Sequence, residues 1–305
     1  MPSFPTPHLE KLSATLVNEK LPGRDKPRVE AAIERYHEWI SGLNGVGGTP
    51  DQIIEQMVRL LDDYRLYIDV ELIFDSKDDF LYRQKGQLKL DNSVIEEFLP
   101  RLVQPAVIPE LGSMNLSVGP QSCFSSVFFG SSLDAPQAGG GLSIRTKDQD
   151  FAISKPLYLR ASHSQNFDES VDRETYIAYV ATECKTNLDK TRFQEACATA
   201  HDTKTAVSGA KYYLLCEWLD MTPLSTAPTD IDEIIILRKA KRLSASIRKD
   251  FNTSSKRRVR RAEYVTYLQA HQFRPEMFRR FVNHIRELLV NEALVERDVL
   301  ELGYF

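Results

Sequence analysis

The chain has 305 residues, 42% hydrophobic and 27% charged, with a formal net charge of −4. That length can bury a substantial core and accommodates two domains, one of them small, and the composition is that of a globular protein. No run of about eighteen apolar residues is present, which excludes a membrane-spanning helix and predicts no membrane partner. The Pro-rich start, Met1 to Pro7, lacks the basic head and apolar centre of a secretory signal. Cys123, Cys184, Cys197 and Cys216 have no CxxC spacing. They are expected as reduced core residues of a cytoplasmic protein, not as a disulfide or zinc framework.

The net charge hides an asymmetry. Between Arg238 and Arg261 there are eleven Lys and Arg against the single acid Asp250, so that segment carries +10 and the remainder −14. A positive field confined to one stretch of an acidic chain predicts a polyanion contacted on one side.

In chain order, Asp25 to Leu43 reads as a helix, with Pro27 in its first turn and Val29, Ile33, Tyr36 and Ile40 at helical spacing. Gly45 to Gly48 breaks it, and is a breaker rather than a phosphate loop. Thr49-Pro50-Asp51-Gln52 then reads as a capping box opening a long helix. A third helix is predicted from Asn92 to about Val103, capped by Asp91, with Glu96 and Glu97 on a solvated face. Residues 1–105 thus form a helical N-terminal region. Beyond it, Ser, Gly and Pro punctuate an apolar segment, Cys123 to Phe129, and three strand-like pieces follow: Leu142 to Thr146, Phe151 to Leu159 and Tyr176 to Lys185. A helix over Leu188 to Ala206 and a buried strand over Tyr212 to Leu219 complete a β–β–β–α–β order. The apolar run Ile234 to Leu237, the basic tract and a helix from Pro275 close the chain. The fold class is α/β (α+β), a mixed central sheet flanked by N-terminal and C-terminal helices, with residues 106–305 carrying the sheet. Trp39 and Trp218 are expected in the core, and His201 and His284 as packing or surface residues.

The strand Tyr176 to Lys185 ends on an acid and a base two positions apart. Glu183 and Lys185 therefore share a face and Cys184 points to the other. Glu183 can hold a hard divalent cation through oxygen, and Lys185 can hold an attacking water. A cation shared with a phosphate needs a further carboxylate. In an antiparallel meander the residue opening one strand lies beside the end of the next, which selects Asp150, with Asp148 in reserve. Asp172 lies about 35 Å from Glu183 along an extended strand at about 3.3 Å per residue, and Asp168 is excluded likewise. Asp150 as a simple turn residue stays open, because Asp favours turns.

The pattern Asp150…Glu183-Cys184-Lys185, followed by a helix and a strand, resembles the PD-(D/E)xK nuclease superfamily, with Gln149 in the nominal Pro position. A longer block, Glu183 to Thr191, Phe193 to Ala196 and Tyr213 to Met221, resembles the restriction endonucleases related to BbvCI, over roughly residues 140–222. That resemblance implies Mg2+-dependent hydrolysis of double-stranded DNA at a short asymmetric sequence, with a homologous second subunit in a heterodimer or homodimer and one strand cut by each. On that reading Asp150 and Glu183 bind Mg2+ with the Cys184 backbone carbonyl, and Lys185 completes the catalytic set. Gln194, Glu195 and Glu97 are candidate accessory groups, each weighed against an exposed helix surface. Arg238, Lys239, Lys241, Arg242, Arg248, Lys249, Lys256, Arg257, Arg258, Arg260 and Arg261 are expected collectively at DNA phosphates. Two alternatives stay open: a catalytically silent sequence-specific DNA-binding subunit, and a structure-specific repair or recombination nuclease.

Overall fold

A computed structural model describes residues 4–290, 300, 301 and 303, so the first three positions of the Pro-rich start lie outside the described residues. The N-terminal helices are α1 (Pro7–Leu16), α2 (Lys26–Asn44), α3 (Pro50–Tyr67), α4 (Phe80–Gln84) and α5 (Ser93–Leu102). α3 opens with the predicted reciprocal cap. Thr49 Oγ1 accepts the Gln52 amide N–H at 3.4 Å, and Gln52 Oε1 accepts the Thr49 amide N–H at 2.9 Å. At the start of α5 the outcome differs. Asn92 holds the N-cap position without a side-chain cap, while Asp91 accepts the Asn92 amide at 3.0 Å and pairs with Lys85 at 3.6 Å. Nor does α5 have a solvated face: Glu96 is 4% exposed and Glu97 0%.

The sheet is mixed and five-stranded, in the order β1 (Ser117–Phe129), β2 (Leu142–Ala161), β3 (Val171–Leu188), β4 (Lys211–Leu219), β5 (Glu233–Lys241). β1, β2 and β3 are antiparallel neighbours, and β4 and β5 run parallel to β3. α6 (Lys190–Ala206) makes the crossover from β3 to β4, as parallel neighbours require. α7 (Ala245–Lys249), α8 (Ser254–Ala270) and α9 (Pro275–Val290) follow β5. The two expected strands Leu142 to Thr146 and Phe151 to Leu159 are one. The polar stretch Lys147 to Asp150 does not turn, because Lys147, Asp148 and Gln149 pair with Cys123, Ser122 and Gln121 of β1. Asp150 therefore lies inside a strand and does not open one.

β2 also bends. Register irregularities at Gly119/Gln121, Phe124/Ser126 and Ile153/Ser154 interrupt its two ladders, and such bulges bend a strand and increase its twist. The loop before its first residue comes back against its last: a Cβ on Gly139 would stand 2.5 Å from the Ala161 carbonyl oxygen, and its φ is +55°. Only glycine fits there.

One face of the sheet (Phe151, Ile153, Val180, Cys184, Tyr213, Leu215) shares a core with Leu12, Met57, Leu61 and Phe98 of the N-terminal helices and Phe278 and Phe281 of α9. The opposite face (Ala152, Ala181, Leu214, Cys216) packs on Phe193, Ala196 and Ala200 of α6. The apolar core thus runs across residue 105. A buried ionic cluster crosses it too. Arg65 of α3 pairs with Asp69 at 2.9 Å and with Glu217 of β4 at 3.0 Å, and Glu217 pairs with Arg238 of β5 at 3.2 Å.

Candidate active site

The site is built where β2 and β3 run side by side. Phe151 pairs with Thr182, so the next step of the antiparallel ladder brings Asp150 to Glu183 and Cys184. The Cys184 amide N–H donates to Asp150 Oδ2 at 2.9 Å. Alternation along β3 sends Cys184 into the core with the N-terminal helices, while the Lys185 ammonium and Glu183 Oε1 meet at 2.5 Å. Glu183 Oε2 accepts the Tyr212 hydroxyl at 3.0 Å. Tyr212 belongs to β4, whose near-continuous burial is that of a central parallel strand.

A third carboxylate arrives from outside the sheet. The Lys89 ammonium, just ahead of α5, stands 3.4 Å from Glu96 Oε1 and 3.8 Å from Asp150 Oδ1, and Asn92 Nδ2 donates to Glu96 at 2.7 Å. Burial raises the pKa of Glu96, and the charge of Asp150 adds to it. Burial likewise raises Asp150, against the Cys184 amide and the two lysines, with Glu183 pushing further up. For Lys185 burial acts downward, but contact with Glu183 and the nearby Asp150 and Glu195 outweigh it and raise the pKa.

The donors Asp150, Glu183 and the Cys184 carbonyl are oxygens of the kind a hard cation takes. Among the described residues no three His, Cys, Asp or Glu side chains converge into a metal cage. An ammonium, that of Lys89, lies within ion-pair range of both Asp150 and Glu96.

The remaining predicted groups sort by position. Asp148 is exposed on β2 opposite Ser122. Gln194 and Glu195 are exposed on α6, Glu195 near enough to act on Lys185. Glu97 is corrected: it turns into the helical layer, where its carboxylate accepts the Tyr36 hydroxyl and the His8 amide N–H. Its neighbour Glu96 is the helix acid that reaches Asp150. Asp172 pairs with Arg160 at 2.6 Å and Asp168 accepts from Ser164 in the turn after β2, both away from the site. Of the groups at the site, Tyr212 and Lys89 escape the sequence reading. Glu96 does not: with Glu97 it is an acid on the helix before the sheet, where either could supply an extra carboxylate, although a solvated face is the favoured reading there.

The basic tract divides. Arg238, 3% exposed, is held by Glu217, Asp62 and the His271 carbonyl. Arg257, 1% exposed, donates to the carbonyls of Phe74 and Phe251 and to Asp79. Both expectations of phosphate contact are corrected, because these guanidinium groups neutralise and hydrogen-bond the interior. Lys239 pairs with Glu276, Arg260 with Asp250 and Glu263, and Arg261 with Asp75 and Glu71. Arg242 and Arg248 share one acid, Asp220, at 3.0 and 3.5 Å. With Lys249 these two line a cleft of about 360 Å³, beside Thr186, Tyr264 and Tyr267. Thr186 directly follows Lys185 in β3.

A mixed sheet carrying paired carboxylates and a lysine at one end, with helices on both faces, is a restriction endonuclease fold. The family model of the Bpu10I restriction endonuclease matches residues 87–305, and the chain belongs to that family. Its structure is similar to one described as the native BbvCI A2B2 tetramer at low resolution, with a TM-score of 0.61 and 19% identity, covering 89% of this chain and 100% of that one. At that identity the likeness is one of fold. No curated protein sequence matches the chain.

Proposed function

We propose that this restriction endonuclease chain is the catalytic subunit of a Type II enzyme, hydrolysing phosphodiester bonds of double-stranded DNA with Mg2+ at a short asymmetric sequence. The observation that carries this reading is the Cys184 amide bound to Asp150 beside the Glu183–Lys185 pair, in a chain of this family. Asp150 and Glu183, with the Cys184 carbonyl, would hold the cation. Bound there, Mg2+ supplies charge to a phosphoryl oxygen and lowers the pKa of a water.

The chain's own groups do the rest. The Cys184 amide fixes one oxygen of Asp150, and Tyr212 fixes one oxygen of Glu183, so both carboxylates are oriented before any substrate arrives. Lys185 orients the attacking water and stabilises the charge that develops on phosphate. A strand whose scissile phosphate met Lys185 would continue past Thr186 into the cleft, where Arg242, Arg248 and Lys249 contact neighbouring phosphates. Lys241, Lys256 and Arg258 are exposed and remain candidates for further phosphate contacts.

A similar second subunit cuts the other strand on this reading. The similar BbvCI structure is described as an A2B2 tetramer, which supports an assembly of more than one chain. The test incubates the chain, alone and with a candidate second subunit, with plasmid and Mg2+, followed by sequencing of the ends. Site-specific nicks in one strand by this chain alone support the reading. Scattered ends without a common sequence, or no ends with either preparation, count against it.

A further inference from the structure

Lys89 combines three features. Its ammonium lies between Glu96 and Asp150, at 3.4 and 3.8 Å. Its backbone is left-handed, with φ 52°, a region that L side chains enter at a cost and that clusters at functional positions. That backbone is also pinned: the Lys89 carbonyl accepts the Ser93 hydroxyl at 2.6 Å and the Ser93 amide N–H at 3.3 Å. An unfavourable conformation is thus held in place by the start of α5, and its result is an ammonium delivered between two acids.

The exposures are unequal. The Lys89 side chain is 45% exposed, Glu96 6% and Asp150 19%. Of the three, the lysine has solvent on one side and room to leave. Lys185, by contrast, is borne by the catalytic strand itself and contacts Glu183. With no positive charge between them, Glu96 and Asp150 would face one another as like charges largely shielded from solvent.

We propose that Lys89 is a tethered stand-in for the divalent cation: its ammonium holds Glu96 and Asp150 together in the metal-free chain and is displaced when the cation binds Asp150. This rests on the metal-binding role of Asp150 proposed above. Lys89 is a positioning residue and competes with the metal for the same carboxylate.

The test uses the full DNA-free chain titrated with Mn2+, an oxygen-preferring ion, with free Mn2+ followed by its EPR signal, so no cleavage is read. Lys89→Met removes the charge at similar length and is expected to tighten Mn2+ binding roughly three- to fivefold, the range of a partly exposed ion pair. Lys89→Arg should stay near wild type. Lys89→Gly, which accepts the left-handed backbone, should tighten binding likewise and serves if Lys89→Met does not fold. Unchanged or weaker binding in both uncharged variants, with binding still abolished by Asp150→Asn, overturns the stand-in role and leaves the proposed metal site intact. Mn2+ binding that does not depend on Asp150 overturns both.

Discussion

The main-chain amide of Cys184 donates to the carboxylate of Asp150 across 2.9 Å. A backbone hydrogen bond between neighbouring strands thus aims a side chain, and it does so from the one residue between Glu183 and Lys185. If these groups form the catalytic set, Asp150→Asn, Glu183→Ala and Lys185→Ala should each reduce cleavage by at least about a hundredfold, with most DNA affinity retained. Nicking assays beside gel-shift titrations check this. A Glu183→Ala protein that nicks at the normal rate removes the assignment.

Tyr212 offers a milder test. Its hydroxyl bonds to Glu183 from a buried strand. Tyr212→Phe should leave the fold intact and slow cleavage by about fivefold, the worth of one hydrogen bond near 1 kcal/mol. An unchanged single-turnover rate would show that Glu183 needs no such support.

The two halves of the basic tract should separate in salt titrations. Replacing Arg242, Arg248 and Lys249 with Ala should flatten the log–log salt dependence of DNA affinity by about 0.9 for each phosphate no longer neutralised. Replacing Arg238 or Arg257 should instead lower the unfolding midpoint. Equal salt slopes before and after the cleft substitutions would place DNA elsewhere.

Glu217 is 1% exposed between Arg65 and Arg238. Glu217→Ala leaves two guanidinium groups short of a partner in the interior and should destabilise the fold by about 3–5 kcal/mol. Urea unfolding checks this, and a loss below about 1 kcal/mol would mean that Asp62 and Asp69 suffice.

His8 sets a pH dependence. It is fully buried, with Nδ1 2.9 Å from Ser93 Oγ and Nε2 2.8 Å from the Tyr64 hydroxyl. Ser93 already donates its proton to the Lys89 carbonyl, so Nδ1 is the donor and Nε2 accepts from Tyr64. Burial, with the charge of Arg65, lowers its pKa from 6.5 to about 3. Between those values the unfolded chain binds a proton that the folded chain refuses. Stability from this group is therefore complete above about pH 6.5 and declines below it by about 1.4 kcal/mol per pH unit. The stability difference between wild type and His8→Phe should shrink accordingly from pH 7 to pH 4, a comparison that cancels the carboxylates. A constant difference would show His8 protonated in the fold.

Much of this architecture was legible because it rests on local periodicity. The Thr49 cap, α2, α6 and the buried β4 follow from spacing and capping residues alone. α5 misled because it is buried on all sides, so its acids looked like a solvated face. Lys147 to Asp150 read as a possible turn because polar composition does not reveal that a partner strand continues the ladder. The Asp150 to Glu183 pairing could be read from period two and antiparallel order. Glu96 and Tyr212 reach the site from separate elements, which spacing cannot align. Counting charge along the chain could not see that Arg238 and Arg257 find their partners far away in sequence.

The family match begins at residue 87, whereas Arg65, which neutralises Glu217, lies upstream on α3. Trimming the chain to the matched region would strip a counter-ion from the middle of the sheet and uncover the apolar flank that Leu12, Met57 and Leu61 close. The upstream helices are thus not a detachable appendage: they close the same core that α9 closes from the far end of the chain.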